Sequence, residues 1–243
     1  MLKRLKNLLT GDSYNKAIQF QGLNLPKFRS NQGLNGNEEY VNSGAEQVAF
    51  IRTHNLISNS TSMLDFGCGQ GRIVNALEYS KTEVKNYTGV DTDNRALEWC
   101  KKHLRYNDTY NFIHLPAFNA RYNKSAQGLQ TLPFEELSFD LIFLNSVFSH
   151  MTPEDVVFYL HEFHRMLNEN GAVYITAFIE ENVTDFEENP DNYMGTSAGA
   201  LHRVRFSQNY FNKLLDQCQF KVDSFHHQEI SRTGQSVVVL RKK

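Results

Sequence analysis

At residues 65–71 the sequence reads DFGCGQG, between an apolar segment predicted to be a strand (62–67) and an amphipathic segment predicted to be a helix (72–80). Glycine tolerates the backbone angles of a sharp turn and lets a ligand approach the main chain, because it has no Cβ. A helix that begins directly after such a loop presents free N–H groups and the positive end of its dipole. The stretch therefore predicts a ligand-binding loop at the end of a strand.

Predicted strands and helices alternate after this loop. Apolar segments predict strands at 86–91, 111–115, 139–148 and 172–179, and helical periodicity predicts helices at 94–107 and 152–171. Thr152 is expected to cap the second of these helices, and Asn170-Gly171 is expected to end it. Near-continuous apolar strands that alternate with helices are typical of a parallel sheet covered on both faces.

The last quarter of the chain departs from this alternation. A helix is predicted at 206–220, opened by Ser207, and strands are predicted at 220–228 and 235–243. The intervening SRTG is too short for a helical crossover, so the two strands must be antiparallel neighbours. The sequence therefore predicts a Rossmann-like α/β fold, with helices on both faces of a seven-stranded, mostly parallel sheet that has an antiparallel C-terminal strand.

Chain length and the N-terminal composition bear on domain organisation. With 243 residues the chain is short for two average domains, so we expect one domain over residues 1–243. Residues 1–43 are rich in Asn, Gly and Gln and are expected to be loosely ordered, with a helix following at 44–58. The stretch 1–58 is expected to form an N-terminal cap segment. Its start, MLKRLKNLLTG, is either an amphipathic surface helix or a terminal tail.

Charge and cysteine content exclude several classes of function. There are 25 Lys and Arg against 27 Asp and Glu, with no basic stripe, so we expect no nucleic-acid partner. Cys68, Cys100 and Cys218 are odd in number and widely spaced, which argues against a disulfide framework or a thiolate zinc site. No apolar run approaches the ~20 residues that cross a bilayer. We therefore expect a cytoplasmic protein with no membrane partner, and the oligomeric state stays open.

The next predicted strand ends in an acidic residue that narrows the range of possible ligands. It ends at Asp91, where a carboxylate can accept the ribose hydroxyls of a nucleoside-type cofactor. A dinucleotide site would read G-x-G-x-x-G. Here the third glycine comes one place earlier, and an acid, Asp65, precedes the first glycine by two. This spacing argues against the alternative of an NAD-dependent oxidoreductase.

The D-x-G-x-G-x-G loop, Asp91 and the C-terminal hairpin together resemble the class I S-adenosylmethionine-dependent methyltransferases, over about residues 44–243. The resemblance implies that S-adenosyl-L-methionine is the cofactor and that Asp65 either supports the loop or reaches the cofactor's amino group. DLIFLNSVFSHM and GQSVVVLRK are similar to bacterial methyltransferases of glycans or small molecules, so the expected acceptor is an O or N atom of such a compound. The residues expected to bind the cofactor are Asp65, Gly67, Cys68, Gly69, Gly71, Asp91, Thr92, Phe118, Asn145 and Phe148.

His150 is the predicted catalytic residue. In methyl transfer the enzyme mainly orients two reactants, but a hydroxyl acceptor must also lose a proton, and imidazole suits that task. His150 follows the strand that is expected to end at the cofactor cleft, although it could instead pack against or cap the next helix. No metal is expected, because Asn145 and Ser146 stand where catechol-type members of this superfamily carry carboxylate ligands.

An acidic insertion follows the predicted strand at 172–179. Residues 180–200 hold six acids and no Lys or Arg, and the stretch 180–205 is expected to be either a solvated loop or a lid over the acceptor cleft. As a lid, it would disfavour phosphorylated or carboxylated acceptors, with Tyr193, His202 and Arg205 in the acceptor pocket. A non-catalytic S-adenosylmethionine-binding protein that regulates a partner stays open as the alternative function.

Overall fold

The computed structural model describes residues 14–29, 36–191, 193, 195–230 and 233–243, so the predicted amphipathic start lies outside the described residues. The strands are β1 (Ala17–Phe20), β2 (Leu23–Pro26), β3 (Ser62–Phe66), β4 (Asn86–Asp91), β5 (Tyr110–His114), β6 (Phe139–Asn145), β7 (Leu167–Glu180), β8 (Phe186–Glu188), β9 (Val204–Ser207), β10 (Phe220–Ile230) and β11 (Gln235–Lys242). The α-helices are α1 (Asn37–Thr53), α2 (Arg72–Tyr79), α3 (Asn94–His103), α4 (Pro153–Met166) and α5 (Gln208–Gln217), and a 3₁₀ turn spans Phe148–His150. Across this described part, no helix has the length and apolarity of a membrane span.

The central sheet has the predicted topology. Its seven strands lie in the order β10-β11-β7-β6-β3-β4-β5. Strand β11 runs antiparallel to both of its neighbours, β10 and β7. The pairs β7–β6, β6–β3, β3–β4 and β4–β5 are all parallel. Because the chain leaves β3 toward β4 on one side and reaches β6 on the other, the carboxyl ends of these strands border the crevice in which such sheets bind ligands.

Alternating side chains of the strands build a separate core on each face of the sheet. Met63, Leu141 and Phe143 belong to one buried cluster, which also contains Trp99 of α3. Leu64, Ile142 and Leu144 belong to the other, which includes aromatic side chains of α4 and α5. This two-residue period places apolar side chains on both faces, so the apolar runs in the sequence correspond to strands buried on both sides.

The ends of several elements differ from the sequence-based expectation. Helix α4 begins at the predicted Thr152 cap, with a capping box to Asp155, but it ends at Met166, and Leu167 already belongs to β7. Gly171 is therefore a strand residue, and a Cβ there would lie 2.7 Å from Cδ1 of Leu167. The prediction that the helix ends at Gly171 was therefore wrong. The glycine instead leaves room within β7 for the side chain of Leu167.

The segments expected to be irregular contain regular structure. Residues 17–26 form the β1–β2 hairpin, where loops were expected, and helix α1 begins seven residues before the predicted Gly44. Strand β9, which begins at the end of the acidic insertion, pairs in parallel with β7, and β8, within the insertion, pairs antiparallel with β9. The insertion thus extends the sheet. The division of the chain into cap segment, domain and lid stays a prediction.

Candidate active site

The glycine loop between β3 and α2 depends on backbone angles that favour glycine. Gly67, Gly69 and Gly71 have φ values of 82°, 54° and 71°. The amides of Gly67 and Cys68 both donate to the carbonyl of Val90, at 2.7 and 3.1 Å. A Cβ on Gly67 would lie 2.5 Å from Val147 Cγ2. The loop is therefore held against the end of β4 in a shape that other residues cannot adopt without strain.

Asp91 has a structural role beside the predicted ribose contact. Its Oδ2 accepts a hydrogen bond from the amide of Gly69 at 2.7 Å, and its Oδ1 accepts one from the amide of Asp93 at 2.8 Å. Burial raises the pKa of Asp91, and these backbone donors oppose that shift. The carboxylate thus fixes both the glycine loop and the start of α3 while it lines the same cavity.

Asp65 is held by a residue that sequence reasoning missed. The Tyr87 hydroxyl donates to Asp65 Oδ2 at 2.6 Å, and both side chains are buried. Burial raises the pKa of Asp65 to about 7, against the opposing effect of the Tyr87 hydrogen bond. A cationic group beside this carboxyl would stabilise its charged form. The sequence contains one indication of this contact: Tyr87 carries a hydroxyl and lies in the strand next to β3.

A cavity of about 240 Å³ opens where the carboxyl ends of β3, β4, β5 and β6 meet. It brings together most of the residues predicted from the sequence. Those on its walls are Asp65, Gly67, Cys68, Gly69, Asp91, Thr92, Phe118, Asn145 and His150. The cavity also has walls that were not predicted, among them Gln70, Asn119, Tyr122 and Gln235.

Two of the residues predicted to bind the cofactor lie outside the cavity walls. Gly71 is the N-cap of α2, and a Cβ there would lie 2.2 Å from Leu104 Cδ1, so this glycine allows close packing against the end of α3. Phe148 is fully buried in the core beneath the site, with its ring 6.3 Å from that of Phe163. Strand β6 ends three residues before Phe148, at Asn145, and Ser146 adopts a φ of 59°, so the chain turns away from the strand direction that the prediction assumed.

The end of β6 rests on a hydrogen-bond network that we call the cavity floor: Asn145, Ser146, Ser149, Thr176 and Gln235. The amide of Ser146 donates to Thr176 Oγ1 at 2.8 Å, and that hydroxyl lies 3.1 Å from Asn145 Oδ1 and 2.7 Å from Gln235 Oε1. Gln235 Nε2 donates to Ser146 Oγ at 2.7 Å, and Ser146 Oγ lies 2.9 Å from Ser149 Oγ. Gln235 begins the last strand. In the sequence it stands out only as a polar residue directly before the apolar run SVVVL.

The geometry of His150 selects one tautomer. Its Nδ1 lies 2.9 Å from the carbonyl oxygen of Leu201. Because a carbonyl only accepts, Nδ1 carries the proton and Nε2 of the neutral ring keeps a lone pair. Burial lowers the pKa of His150 to about 4, and the nearby Arg121 and His202 contribute in the same direction. His150 is thus a neutral, oriented imidazole on the cavity wall.

Asn119 connects the loop after β5 to this histidine, and sequence reasoning missed it. Its Nδ2 donates to the carbonyl of His150 at 3.0 Å, while its Oδ1 accepts from the amides of Arg121 and Tyr122 at 2.9 and 3.1 Å. The Tyr122 ring then lies edge-on to the His150 ring, with 5.4 Å between centroids. Two loops far apart in the sequence therefore form one wall.

Two residues proposed from the sequence for the acceptor pocket form a separate cluster. The Tyr193 hydroxyl donates to Glu180, and the Arg205 guanidinium pairs with Glu180 at 3.4 Å and with Glu187 at 2.5 Å. Neither Tyr193 nor Arg205 lines the cavity. Their position at the junction of β7, β8 and β9 indicates that they stabilise the insertion.

The polar groups that line the cavity suit an S-adenosylmethionine ligand. Both polar side-chain atoms of Gln70 are buried without a hydrogen-bond partner in the described structure, and Gln70 faces the cavity. A buried amide in that state is costly unless a ligand satisfies it. Asp65 and Asp91 add carboxylates suited to an amino group and a ribose diol, and the glycine loop leaves room beside the main chain.

Comparisons with known proteins agree with this geometry. Residues 64–175 match a family described as a methyltransferase domain. An S-adenosylmethionine-dependent methyltransferase from Leishmania major superimposes with a TM-score of 0.62 at 17% identity, over 85% of this chain and 74% of that one. The 1,6-didemethyltoxoflavin-N1-methyltransferase of Burkholderia thailandensis superimposes with a TM-score of 0.56 at 20% identity, over 85% of this chain and 80% of that one. The magnesium protoporphyrin IX methyltransferase of Synechocystis superimposes with a TM-score of 0.55 at 10% identity, over 87% of this chain and 86% of that one.

The packing role of Gly71 can be tested by Gly71→Ala, with Gly128→Ala as a matched control. Both glycines have a φ of +71°, but a Cβ on Gly128 would meet no atom within 4 Å. We expect Gly71→Ala to lower the free energy of unfolding by about 2–4 kcal/mol, since it adds overpacking to backbone strain, and Gly128→Ala by about 1–2 kcal/mol from strain alone. Urea denaturation measures both, and equal losses would contradict the packing role.

Proposed function

We propose that this protein methylates an oxygen or nitrogen atom of a small molecule or glycan with S-adenosylmethionine as the methyl donor, because residues 64–175 match a family described as a methyltransferase domain. One observation carries the proposal. The glycine loop, the two carboxylates Asp65 and Asp91, and the oriented imidazole of His150 all line a single cavity. Donor and acceptor would therefore meet in one enclosed space.

The cofactor supplies a methyl group on a positively charged sulfur. In this chain, Asp91 would accept the ribose hydroxyls while it keeps the amide of Gly69 in place. Asp65 would face the amino group, because a nearby cation stabilises the charged form of a carboxyl whose pKa burial raises to about 7. The unpartnered amide of Gln70 would complete the polar contacts, and the exposed ring of Phe118 would stack on the adenine.

His150 would act on the acceptor. With Nδ1–H fixed on the Leu201 carbonyl, the Nε2 lone pair is free to accept the proton of an acceptor hydroxyl or to orient an amine. A pKa near 4 keeps the ring uncharged at neutral pH, so it does not repel a cationic sulfonium. A low pKa makes it a weak base, and most of the rate enhancement would come from holding the two reactants in line.

A small acceptor is favoured over a macromolecule. Ile230 at the end of β10, Thr233, and Gln235 at the start of β11 contribute to the cavity walls, so the described ends of this hairpin border the site. The toxoflavin and protoporphyrin methyltransferases with the same fold are named for small-molecule substrates. Balanced net charge gives no general attraction for nucleic acid.

Asp91→Ala tests the cofactor site. Removing the carboxylate should weaken binding of S-adenosylhomocysteine by about 1–3 kcal/mol, because the ribose loses a charged acceptor and Gly69 loses its partner. Titration calorimetry measures the affinity, and Asp108→Ala, on the exposed segment after α3, is the control. Unchanged affinity in Asp91→Ala, with a normal thermal unfolding profile, would refute the ribose role.

His150→Gln tests the proposed base. Once an acceptor is identified, turnover should fall ~100-fold relative to wild type, because the acceptor proton has no place to go. His164→Gln, on α4 outside the cavity, should retain the wild-type rate. Near-normal turnover in His150→Gln would remove it from the mechanism. Binding of S-adenosylhomocysteine without turnover on any acceptor would instead favour a non-catalytic role for the protein.

The pH dependence of stability gives a second test of His150. In the folded protein the pKa of His150 is about 4, below the ordinary value of 6.5. Between pH 4 and 6.5 the unfolded chain therefore binds more protons at this residue than the folded protein does. This residue therefore makes the protein lose stability as the pH falls from 6.5 toward 4. In urea titrations, His150→Gln should show a shallower loss over that range than wild type, and identical slopes would contradict the burial of a neutral ring.

A further inference from the structure

A group of three basic side chains lies where the loop after β5 meets the segment before β9. We call Arg121, His202 and Arg203 the basic cluster. Nη1 of Arg121 donates to the carbonyl of Ala198 at 3.1 Å, and the amide of Ala198 donates to Nδ1 of His202 at 2.9 Å. Nη1 of Arg203 lies 3.5 Å from the same Nδ1. One short segment thus connects all three.

The basic cluster lies beside the candidate active site. His150 donates from Nδ1 to the carbonyl of Leu201, the residue directly before His202. Tyr122, directly after Arg121, lines the cavity with its ring edge-on to His150. The cluster is also close enough for Arg121 and His202 to depress the pKa of His150. The cluster is therefore next to the wall formed by His150 and Tyr122, although its own side chains are not among those that line the cavity.

The positive charge of the cluster is not balanced by ion pairs within the described residues. The ion pairs formed there by arginines involve others, such as Arg165 and Arg205, and none involves Arg121 or Arg203. Nε of Arg121 is buried and has no hydrogen-bond partner. Such a donor is costly to leave unsatisfied in a site that stays empty.

Four of the six acids of the insertion have partners outside the basic cluster. Glu180 and Glu187 pair with Arg205, and Asp185 Oδ1 accepts from the hydroxyl of Ser207 at 2.8 Å. Glu188 Oε1 accepts from the amide of Leu201 at 2.8 Å. These four acids contribute to the expected repulsion of phosphorylated or carboxylated acceptors, yet their contacts lie within the insertion and the strands beside it. The basic cluster does not line the cavity itself, but it adjoins the wall that Tyr122 and His150 form.

The cluster has N–H groups left for a ligand. Because the amide of Ala198 donates to Nδ1 of His202, this nitrogen is the acceptor and Nε2 of the neutral ring carries a proton. Each guanidinium has five N–H bonds and uses only part of them on backbone and side-chain acceptors. Arginine forks of this kind match carboxylate and phosphate oxygens.

We propose that the methyl acceptor carries an oxyanion, a carboxylate or a phosphate, which Arg121, His202 and Arg203 bind while its hydroxyl or amine points toward His150. The identity of the ligand as a methyl acceptor rests on the proposed function. Binding of an oxyanion by the cluster does not.

Titration with inorganic phosphate, and separately with acetate, tests the cluster at constant ionic strength set by sodium chloride. The ring signals of His202 and His150 are followed by NMR. Wild type should show saturable shifts with at least one of the two anions, and the better ligand identifies the oxyanion class. The double variant R121Q/R203Q should bind it about tenfold or more weakly, because charge-assisted hydrogen bonds are lost. R52Q, on the exposed end of α1, should match wild type.

Two results would overturn the proposal: no saturable shift in wild type with either anion, or equal affinity in R121Q/R203Q and wild type. Calorimetry with S-adenosylhomocysteine on the same samples separates this proposal from the function. Retained cofactor binding in R121Q/R203Q shows that a lost anion response is local to the cluster. Absent cofactor binding in wild type would count against the methyltransferase function, whatever the phosphate titration gives.

Discussion

Two consecutive residues at the end of β4 hold the glycine loop in place. The carbonyl of Val90 accepts the amides of Gly67 and Cys68, and the carboxylate of Asp91 accepts the amide of Gly69. The loop follows β3, so its shape depends on the register of the β3–β4 ladder, in which Phe66 pairs with Val90. A shift of one residue in that ladder would remove all three hydrogen bonds. The site is therefore specified by the same pairing that builds the centre of the sheet.

The site has a marked distribution of charge. The carboxyls of Asp65, which is buried, and of Asp91, which is partly buried, lie where the glycine loop turns. The basic cluster adjoins the part of the wall where the neutral ring of His150 contacts the carbonyl of Leu201. A cationic methyl donor at the acidic end and an anionic acceptor at the basic end would each meet the complementary charge, which favours the correct orientation of both reactants.

Local features of the sequence predicted the fold well because each carries its own physical cause. The Thr152 and Ser207 caps, the glycine loop and the short SRTG turn depend on a few neighbouring residues. Most cavity residues were also predictable, since they follow strand ends. The contacts that were missed join distant segments: Tyr87 to Asp65, Asn119 to His150, and Gln235 to Ser146. Phe148 lies in the core outside the cavity walls, and nothing local in the sequence signals the left-handed turn at Ser146 that precedes it.

The position of β11 has a consequence for the order in which the protein is made. This strand lies between β10 and β7, although both precede it in the chain, and its first residue, Gln235, completes the cavity floor. A growing polypeptide must therefore keep the edge of β7 unpaired until residues 235–242 have left the ribosome. During that interval an apolar strand edge is open to wrong pairing, a state in which chaperone binding protects newly made proteins.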